Sequence, residues 1–139
     1  MKINQVKGFN VERLFQALAD RTRLRLLNLM GDHEVCVCFL VEALGLNQPK
    51  ISRHLAYLRR AGIVSVRREG KWMHYRIMPP ADSSAASLLA AVRAYLANDP
   101  RMQMDRSRLT KLCCAPSVPA ALKRAPKPSS LVRAEVVEG

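Results

Sequence analysis

The link Gly45-Leu46-Asn47 is the feature that most limits how this chain can fold. Apolar residues recur at helical spacing on both sides of it: Leu40, Val41 and Leu44 before it, and Ile51, Leu55 and Leu58 after it. Gly45 can adopt the left-handed backbone conformation that commonly ends a helix. Asn47 is a good N-cap for the next helix, which has Pro49 in its first turn. The pattern predicts two helices joined by a short turn, which is a helix-turn-helix.

The second helix of this pair has a polar surface opposite its apolar face. The polar residues are Gln48, Lys50, Ser52, Arg53, His54 and Tyr57. Amide, guanidinium and hydroxyl groups on a helix can meet base edges and phosphates in the major groove, so these six residues are candidate DNA contacts. Gln48 is the best candidate for reading adenine, whereas Lys50, Ser52 and Arg53 are expected to contact bases or nearby phosphates.

Two short strands are predicted after the helix pair. Ile63 to Arg67 and Lys71 to Ile77 have strand patterns, and Glu69-Gly70 between them favours a tight hairpin turn. The basic residues of this hairpin that we expect to contact DNA are Arg67, Arg68 and Lys71. The sequence therefore predicts a mainly α-helical fold with a small β-hairpin wing, a winged helix-turn-helix.

Helices are also predicted over residues 11–18, 21–30 and 83–98, and Asn10 and Asp20 cap the first two. The last of them has an apolar stripe: Leu88, Val92, Tyr95 and Leu96. A stripe outside the DNA-reading unit is a natural dimer surface, so a homodimer is expected. The arginines of the second helix, Arg21, Arg23 and Arg25, fit a solvated face and a phosphate contact equally well.

The charge of the chain favours a polyanionic partner. The 139 residues include 23 Lys and Arg against 11 Asp and Glu, a net charge of +12. Clustered positive charge releases counterions from phosphates, so double-stranded DNA is the leading partner. Residues 100–139 hold +5 of this charge and the preceding residues hold +7, so the DNA prediction does not depend on the C-terminal part.

The composition changes near residue 100. Four prolines and many basic residues beyond it predict a flexible C-terminal tail over 99–139 that carries Cys113-Cys114. Residues 1–98 are then the DNA-binding and dimerisation domain. No segment approaches the roughly 18 apolar residues of a membrane span, and no signal peptide is visible at the N-terminus, so a cytoplasmic protein without a membrane partner is expected.

Cys36 and Cys38 lie one residue apart, just before the helix-turn-helix. Two thiolates form a chelate for a soft metal ion, and a chain expected to be cytosolic keeps its thiols reduced. Residues two apart point in nearly opposite directions in a helix but share a face in an extended segment, so chelation favours an unwound segment here. The alternative is that both cysteines are small buried apolar residues.

Several separated motifs resemble the ArsR/SmtB family of bacterial metalloregulatory repressors. They occur in this order: Phe15-Gln16-Ala17-Leu18-Ala19-Asp20, Thr22 to Leu27, Glu34 to Leu40 with its Cys-Val-Cys, Gln48 to Leu55, and Ala61-Gly62-Ile63-Val64. The resemblance covers roughly residues 11 to 97 and implies a repressor, not an enzyme. It also implies that Cys36 and Cys38 occupy the place that the family uses for arsenic, antimony, cadmium or lead.

The chain departs from the family pattern at two positions. Arg21 stands where the family usually has proline, and Val41 stands where arsenic sensors often have a third cysteine. Trivalent arsenic and antimony favour three thiolates, so the Cys36 and Cys38 site is one ligand short. Cys113 or Cys114 could supply the third ligand, within the subunit or across the dimer. These two could instead form a separate chelate suited to methylarsenite, which needs two sulfurs.

Other classes of protein remain open at this point. A repressor that senses oxidation through a disulfide would use the same thiols, and a constitutive architectural DNA binder would use the same basic surface. A thiol oxidoreductase would need an activated nucleophile beside a resolving thiol. No glycine-rich anion loop, acid/base pair or cofactor motif accompanies the cysteines in the sequence, and the DNA-reading helix would have no role in such an enzyme.

Overall fold

Helices form most of the part of the chain that the structure describes, residues 9–114 and 119–128. In this computed structural model they are α1 (Val11–Leu18), α2 (Arg21–Met30), α3 (Val37–Leu44), α4 (Gln48–Arg60), α5 (Ser83–Ala97), α6 (Pro100–Cys114) and a 3-10 helix, Ala120–Leu122. The strands are β1 (Val35–Cys36), β2 (Val64–Glu69) and β3 (Trp72–Ile77). The predicted winged helix-turn-helix is confirmed, with α3 and α4 as the helix pair and with β2 and β3 as the wing.

Polar side chains define the starts of the helices, as the sequence predicts. Asn10, Asp20 and Asn47 cap α1, α2 and α4, and each side chain accepts a hydrogen bond from the backbone N–H three residues later. The N···O distances are 2.9–3.1 Å. Gly45 ends α3 with φ +67°, a left-handed conformation that strains residues with a Cβ. These caps set the short turn between α3 and α4.

One apolar core joins the helices to the sheet. Its largest fully buried side chains include Leu14 of α1, Leu26 of α2, Phe39 of α3, Leu55 of α4 and Leu89 of α5. Burial of this kind supplies most of the stability of short helices, because isolated helices of 8 to 15 residues are marginal in water. No helix among the described residues has both the length and the apolarity that crossing a bilayer requires.

The sheet has the order β1-β3-β2 and is antiparallel throughout. Glu69 pairs with Trp72, so the hairpin turn is Gly70-Lys71 and not Glu69-Gly70 as predicted. Gly70 has φ +59°, which the first central residue of a type II′ turn requires. The sequence prediction also missed β1, because a strand of two residues has no detectable alternation.

The apolar stripe predicted on α5 is divided between two faces. Leu96 is buried, together with Ala85 and Leu89, whereas Leu88 and Tyr95 are exposed. Residues 88 and 95 are seven apart and therefore share a face of the helix. This exposed pair, and not the whole predicted stripe, is the part of α5 that the core leaves uncovered in the single chain.

The prediction of a flexible tail is wrong for residues 100–114, which form α6. Asp99 accepts hydrogen bonds from the backbone N–H groups of Arg101 and Met102 at 2.8 and 3.2 Å, and Pro100 occupies the first helical position. This is a favourable helix start. The buried residues of α6 are Met102, Asp105, Leu109 and Cys113. Because Asp105 interrupts the row of buried apolar residues, the sequence does not show the amphipathic pattern of α6. The last residues of the predicted tail, 129–139, lie outside the described residues.

Candidate metal site and nucleic-acid interface

Cys36 and Cys38 are brought together at the boundary between β1 and α3. Cys36 is the last residue of β1 and the N-cap of α3, with the extended conformation φ −68° and ψ 141°, and Cys38 lies in the first turn of α3. The two Sγ atoms are 3.0 Å apart. Cys36 is buried and Cys38 is half-buried. Because α3 begins between them, the extended backbone that chelation favours is already present, and no helical turn has to unwind.

A hydrogen bond between the two thiols makes them unequal acids. The hydrogen bond with the Cys38 thiol lowers the pKa of Cys36 to about 6, and the backbone N–H of Cys38 and the electrostatic effect of His74 act in the same direction. The same hydrogen bond, with burial, raises the pKa of Cys38. The hydrogen bond therefore favours a thiolate at Cys36 and a thiol at Cys38, and an ion bound to both sulfurs displaces the proton between them.

The separation of the sulfurs is close to that of a chelate. Metal–sulfur bonds of about 2.3 Å with an angle of about 90° to 110° place two thiolates about 3.3–3.8 Å apart. The pair at 3.0 Å has to open by less than about 1 Å to bind a soft ion. The donor set fits a soft thiophilic ion, because both ligands are sulfur.

The other two cysteines lie at the end of α6. Cys113 is buried in the apolar core and Cys114 is exposed. Within the described residues of one chain, no three His, Cys, Asp or Glu side chains are grouped closely enough to hold a metal ion. α6 packs against α3, but Cys113 and Cys114 do not complete a three-ligand site with Cys36 and Cys38 in this conformation.

The cysteine pair is connected to the wing through the sheet. Cys36 is paired in register with His74 of β3. The His74 Nε2 atom lies 2.8 Å from Glu69 Oε1 at the end of β2. Glu34, just before β1, accepts three hydrogen bonds from the Arg67 guanidinium of β2, which lower the pKa of Glu34. A displacement at Cys36 can therefore reach the wing through backbone pairing and two side-chain contacts. The sequence pattern indicates no such role for His74 or Glu34.

The predicted DNA contacts on α4 fall into two groups. Gln48 and Arg53 are exposed, and Lys50 and Ser52 are partly exposed, as a DNA-reading surface requires. His54 and Tyr57 instead face α1 and α2. The His54 Nδ1 atom is 3.4 Å from the Arg23 guanidinium and 3.8 Å from Asp20. Burial lowers the pKa of His54, so its ring is neutral at neutral pH and cannot provide a charge to a phosphate.

The predicted basic residues of the wing are exposed, but they do not all have the same partners. Arg67 is paired with Glu34, with Nη2 2.9 Å from Oε1. Arg68 donates to the Gly70 carbonyl at 3.1 Å, and the Lys71 ammonium lies 4.9 Å from the centre of the Trp72 ring. Arg68 and Lys71 therefore keep their charge uncompensated by a carboxylate among the described residues, which suits a phosphate contact better than Arg67 does.

Comparison with known proteins identifies the family. Residues 20–66 match the profile of the bacterial regulatory proteins of the arsR family. An arsenic resistance transcriptional regulator of Pseudomonas putida, ArsR1, is 43% identical over 109 residues, which cover 78% of this chain and 84% of that protein. The arsenical resistance operon repressor of Escherichia coli is 49% identical over 78 residues, which cover 55% of this chain and 67% of that protein.

Solved structures agree with this assignment. HlyU from Vibrio cholerae has a TM-score of 0.52 at 32% identity, over 68% of this chain and 99% of that chain. The transcriptional repressor BigR from Xylella fastidiosa has a TM-score of 0.51 at 33% identity, over 61% of this chain and 84% of that chain. The Pseudomonas putida, Escherichia coli and Xylella fastidiosa proteins are named as regulators or repressors. The chain belongs to the ArsR family of bacterial regulatory proteins.

Proposed function

We propose that the chain represses transcription by binding operator DNA in its metal-free form, and that trivalent arsenic or antimony bound to cysteine thiolates releases it. The observation that carries this proposal is the 3.0 Å separation between the Sγ atoms of Cys36 and Cys38 at the start of α3. A soft-ion chelate at this position is one helix away from the DNA-reading helix. The arsenic resistance regulators among the relatives support the choice of ion.

The number of thiolates decides which ion fits. Trivalent arsenic and antimony favour three sulfur ligands, and Cys36 and Cys38 supply two. The third would come from Cys113 or Cys114, either from a partner subunit or after a shift of α6, because the described residues of one chain contain no group of three. Cys113 and Cys114 could also bind methylarsenite by themselves. Cadmium and lead remain further candidates for the inducer, because both bind thiolates.

Two packed connections can carry the signal to DNA. α3 packs against α4, and β1 is hydrogen-bonded to β3 of the wing. Opening the cysteine pair by a few tenths of an ångström moves the start of α3 and the edge of the sheet together. A hundredfold fall in operator affinity needs about 2.7 kcal/mol of coupling. Metal-thiolate sites supply on the order of 10 kcal/mol, so the required coupling is a minor fraction of the binding free energy.

A homodimer is part of this proposal. The helices with exposed large apolar side chains include α1, with Val11 and Phe15, and α5, with Leu88 and Tyr95. A second copy that covers these side chains would place two copies of α4 for adjacent half-sites, about 34–36 Å apart. DNA binding by both subunits makes affinity sensitive to small changes in their relative orientation.

The proposal is tested by operator release. The operator is first selected from random duplexes with the metal-free protein, and the complex is then titrated with arsenite, antimonite, methylarsenite, cadmium and lead. We expect arsenite or antimonite to release wild type but not the Cys36→Ser/Cys38→Ser variant. The Cys113→Ser/Cys114→Ser variant is titrated beside it and reports whether the α6 thiols belong to the same site. Operator binding that arsenite strengthens or leaves unchanged in wild type would overturn the proposal.

A second candidate is supported by the same distance. Thiols 3.0 Å apart can form a disulfide with little movement, two thiols and hydrogen peroxide giving a disulfide and two water molecules. In that case the chain would sense oxidation and not a metalloid. Release of the operator by peroxide but not by arsenite, with no release of Cys38→Ser, would select the oxidation sensor.

A further inference from the structure

Tyr57 lies at the centre of a basic cleft that includes residues of α1 and α2 as well as α4. The guanidinium carbons of Arg23 and Arg60 are 4.0 and 5.9 Å from the centre of the Tyr57 ring. One side of the cleft, of about 330 Å³, is lined by Arg23, Arg53, His54, Ala56, Tyr57 and Arg60. The other side, of about 260 Å³, is lined by Arg13, Gln16, Tyr57 and Arg60. We call the two together the Tyr57 cleft.

Arg23 lines this cleft, and its guanidinium group is hydrogen-bonded to the backbone of α1. Its Nε and Nη2 atoms donate to the carbonyls of Ala17 and Gln16 at 2.8 Å each, and its side chain is largely buried. These carbonyls belong to the last turn of α1, which has no basic residue of its own. Arg23 therefore links the end of α1 to α4. Its guanidinium group stacks on the Tyr57 ring and restricts the orientation of that ring.

Three other guanidinium groups of the cleft have no acidic partner. Arg13, Arg53 and Arg60 are exposed, and no carboxylate in the described part of the chain forms an ion pair with them. Arg25, Arg67 and Arg93 elsewhere are paired with Asp105, Glu34 and Asp32. Asp20 lies 3.9 Å from Arg23 and 3.8 Å from His54.

A hydrogen bond from the Arg13 side chain to the backbone of Arg60 brings these two residues to the same part of the cleft. The Arg13 Nη1 atom donates to the Arg60 carbonyl at 3.4 Å, which brings α1 to the end of α4. The Tyr57 hydroxyl forms no hydrogen bond with another described residue, so it is available as a donor. Guanidinium groups that line one cleft, together with a hydroxyl donor, are suited to binding a tetrahedral oxyanion.

We propose that the Tyr57 cleft binds a phosphodiester group of the DNA backbone through Arg13, Arg60 and the Tyr57 hydroxyl. This rests on the DNA-binding part of the proposed function. Arg53 lines the cleft and also belongs to the reading surface of α4, so a phosphate in the cleft lies next to the bases that α4 reads. Contacts to phosphates fix the register of a protein on the duplex without reading sequence. The DNA interface thus extends from α4 onto α1.

The test compares two double variants that remove the same charge. Arg13→Ala/Arg60→Ala alters the cleft, and Arg101→Ala/Arg108→Ala removes two exposed arginines of α6 that line no part of it. Each protein is titrated with the selected operator and with a mixed-sequence duplex of about 40 base pairs, which accommodates two half-sites. Circular dichroism and thermal unfolding verify that each variant is folded.

We expect the cleft variant to bind both duplexes about tenfold more weakly, with the preference for operator unchanged. The slope of log affinity against log salt should become shallower by about 0.9 for each phosphate that the variant no longer neutralises. The α6 variant should retain the wild-type slope. Equal slopes in the two variants would show that only net charge matters and would overturn the inference, even if arsenite still releases the wild type.

A free anion is the other possible occupant. Inorganic phosphate is therefore titrated into DNA-free wild type and into the cleft variant, with the Tyr57 ring signals followed by nuclear magnetic resonance. Phosphate binding that is abolished in the cleft variant, together with an unchanged salt slope for DNA, would assign the cleft to a free oxyanion and overturn the proposal. A wild type that binds no duplex would overturn both this inference and the proposed function.

Discussion

Arg25 of α2 and Asp105 of α6 form a two-point ion pair, with Nε 2.7 Å from Oδ2 and Nη2 3.0 Å from Oδ1. Both side chains are largely buried. Beside them, the Asn28 amide donates to the Met102 carbonyl at 2.9 Å. These contacts hold α6 on the domain, and α6 in turn covers α3, the helix that begins at the cysteine pair.

Removing the carboxylate should therefore destabilise the whole domain. Asp105→Ala leaves the Arg25 guanidinium buried without a partner, and we expect the free energy of unfolding to fall by about 2–4 kcal/mol. Asp32→Ala is the matched control, because Asp32 pairs with Arg93 but is 91% exposed. This control should lower the free energy of unfolding by less than about 1 kcal/mol. Urea unfolding measures both changes, and equal small decreases would show that the Arg25–Asp105 pair contributes no more than an exposed ion pair.

Arg53 should determine sequence preference. It is exposed on α4 and forms no ion pair within the described residues, so it is free to contact a base. Arg53→Ala should lower operator affinity by at least about 1 kcal/mol while random DNA is affected less. Competition between the selected operator and random duplex measures the preference. An unchanged preference would remove Arg53 from the base-reading residues and leave it as a phosphate contact.

The cysteine pair should make stability depend on pH in two directions. The pKa of Cys36 is lowered to about 6, against about 8.5 for a thiol in the unfolded chain. Between these values the unfolded state binds more protons, so the free energy of unfolding rises with pH. The pKa of Cys38 is raised, so above about 8.5 the unfolded state binds fewer protons and the stability falls.

Cys38→Ala tests this assignment. It removes the hydrogen-bond donor, so the pKa of Cys36 should return toward the ordinary thiol range and the rise in stability between pH about 6 and 8.5 should shrink. Thiolate ultraviolet absorbance follows the titration, and thermal unfolding follows the stability. A Cys36 titration that stays near 6 in this variant would show that His74 and the backbone, and not Cys38, stabilise the thiolate.

The exposed apolar side chains of α1 and α5 should hold the proposed dimer together. Leu88→Glu places a charge on the α5 face, and we expect it to shift the protein toward monomer and to weaken operator binding. Met104→Glu is the matched control, since Met104 is 70% exposed and belongs to α6, not to α1 or α5. Analytical ultracentrifugation measures the oligomeric state. A dimer that Leu88→Glu leaves intact would place the subunit contact elsewhere.

Local sequence signals predicted most of the secondary structure. The caps at Asn10, Asp20 and Asn47 and the stop at Gly45 act within one helical turn, so they are readable without knowing the fold. The predicted position of the hairpin turn differs from the observed one by one residue. The position of the turn depends on which residues of the two strands pair, and a local pattern does not determine that pairing. α6 was missed because a carboxylate in its buried stripe is neutralised by Arg25, 80 residues away.

The sequence also predicted only part of the candidate site. The sequence identified Cys36 and Cys38 as a pair, and Gln48, Lys50, Ser52 and Arg53 as polar residues on one helix. The sequence did not distinguish Arg23, which donates to a carbonyl of α1, from Arg25, which pairs with Asp105 of α6. Both arginines belong to a set on α2 that the sequence pattern assigns to one solvent-facing surface. The sequence also placed His54 and Tyr57 with the other polar residues of α4 and did not show that both side chains face α1 and α2.

The sequence by itself determined the winged helix-turn-helix, its reading helix and the place of the thiol pair along the chain, since periodicity and capping are local properties. The tertiary structure decided the distance between the two sulfurs, the inequality of their pKa values and the partners of each arginine. Those quantities depend on burial and on side chains that are distant in sequence, which no local pattern records. These quantities also determine which of the two thiols is the stronger acid before a metal ion binds. They determine as well which basic side chains have no carboxylate partner and can contact DNA.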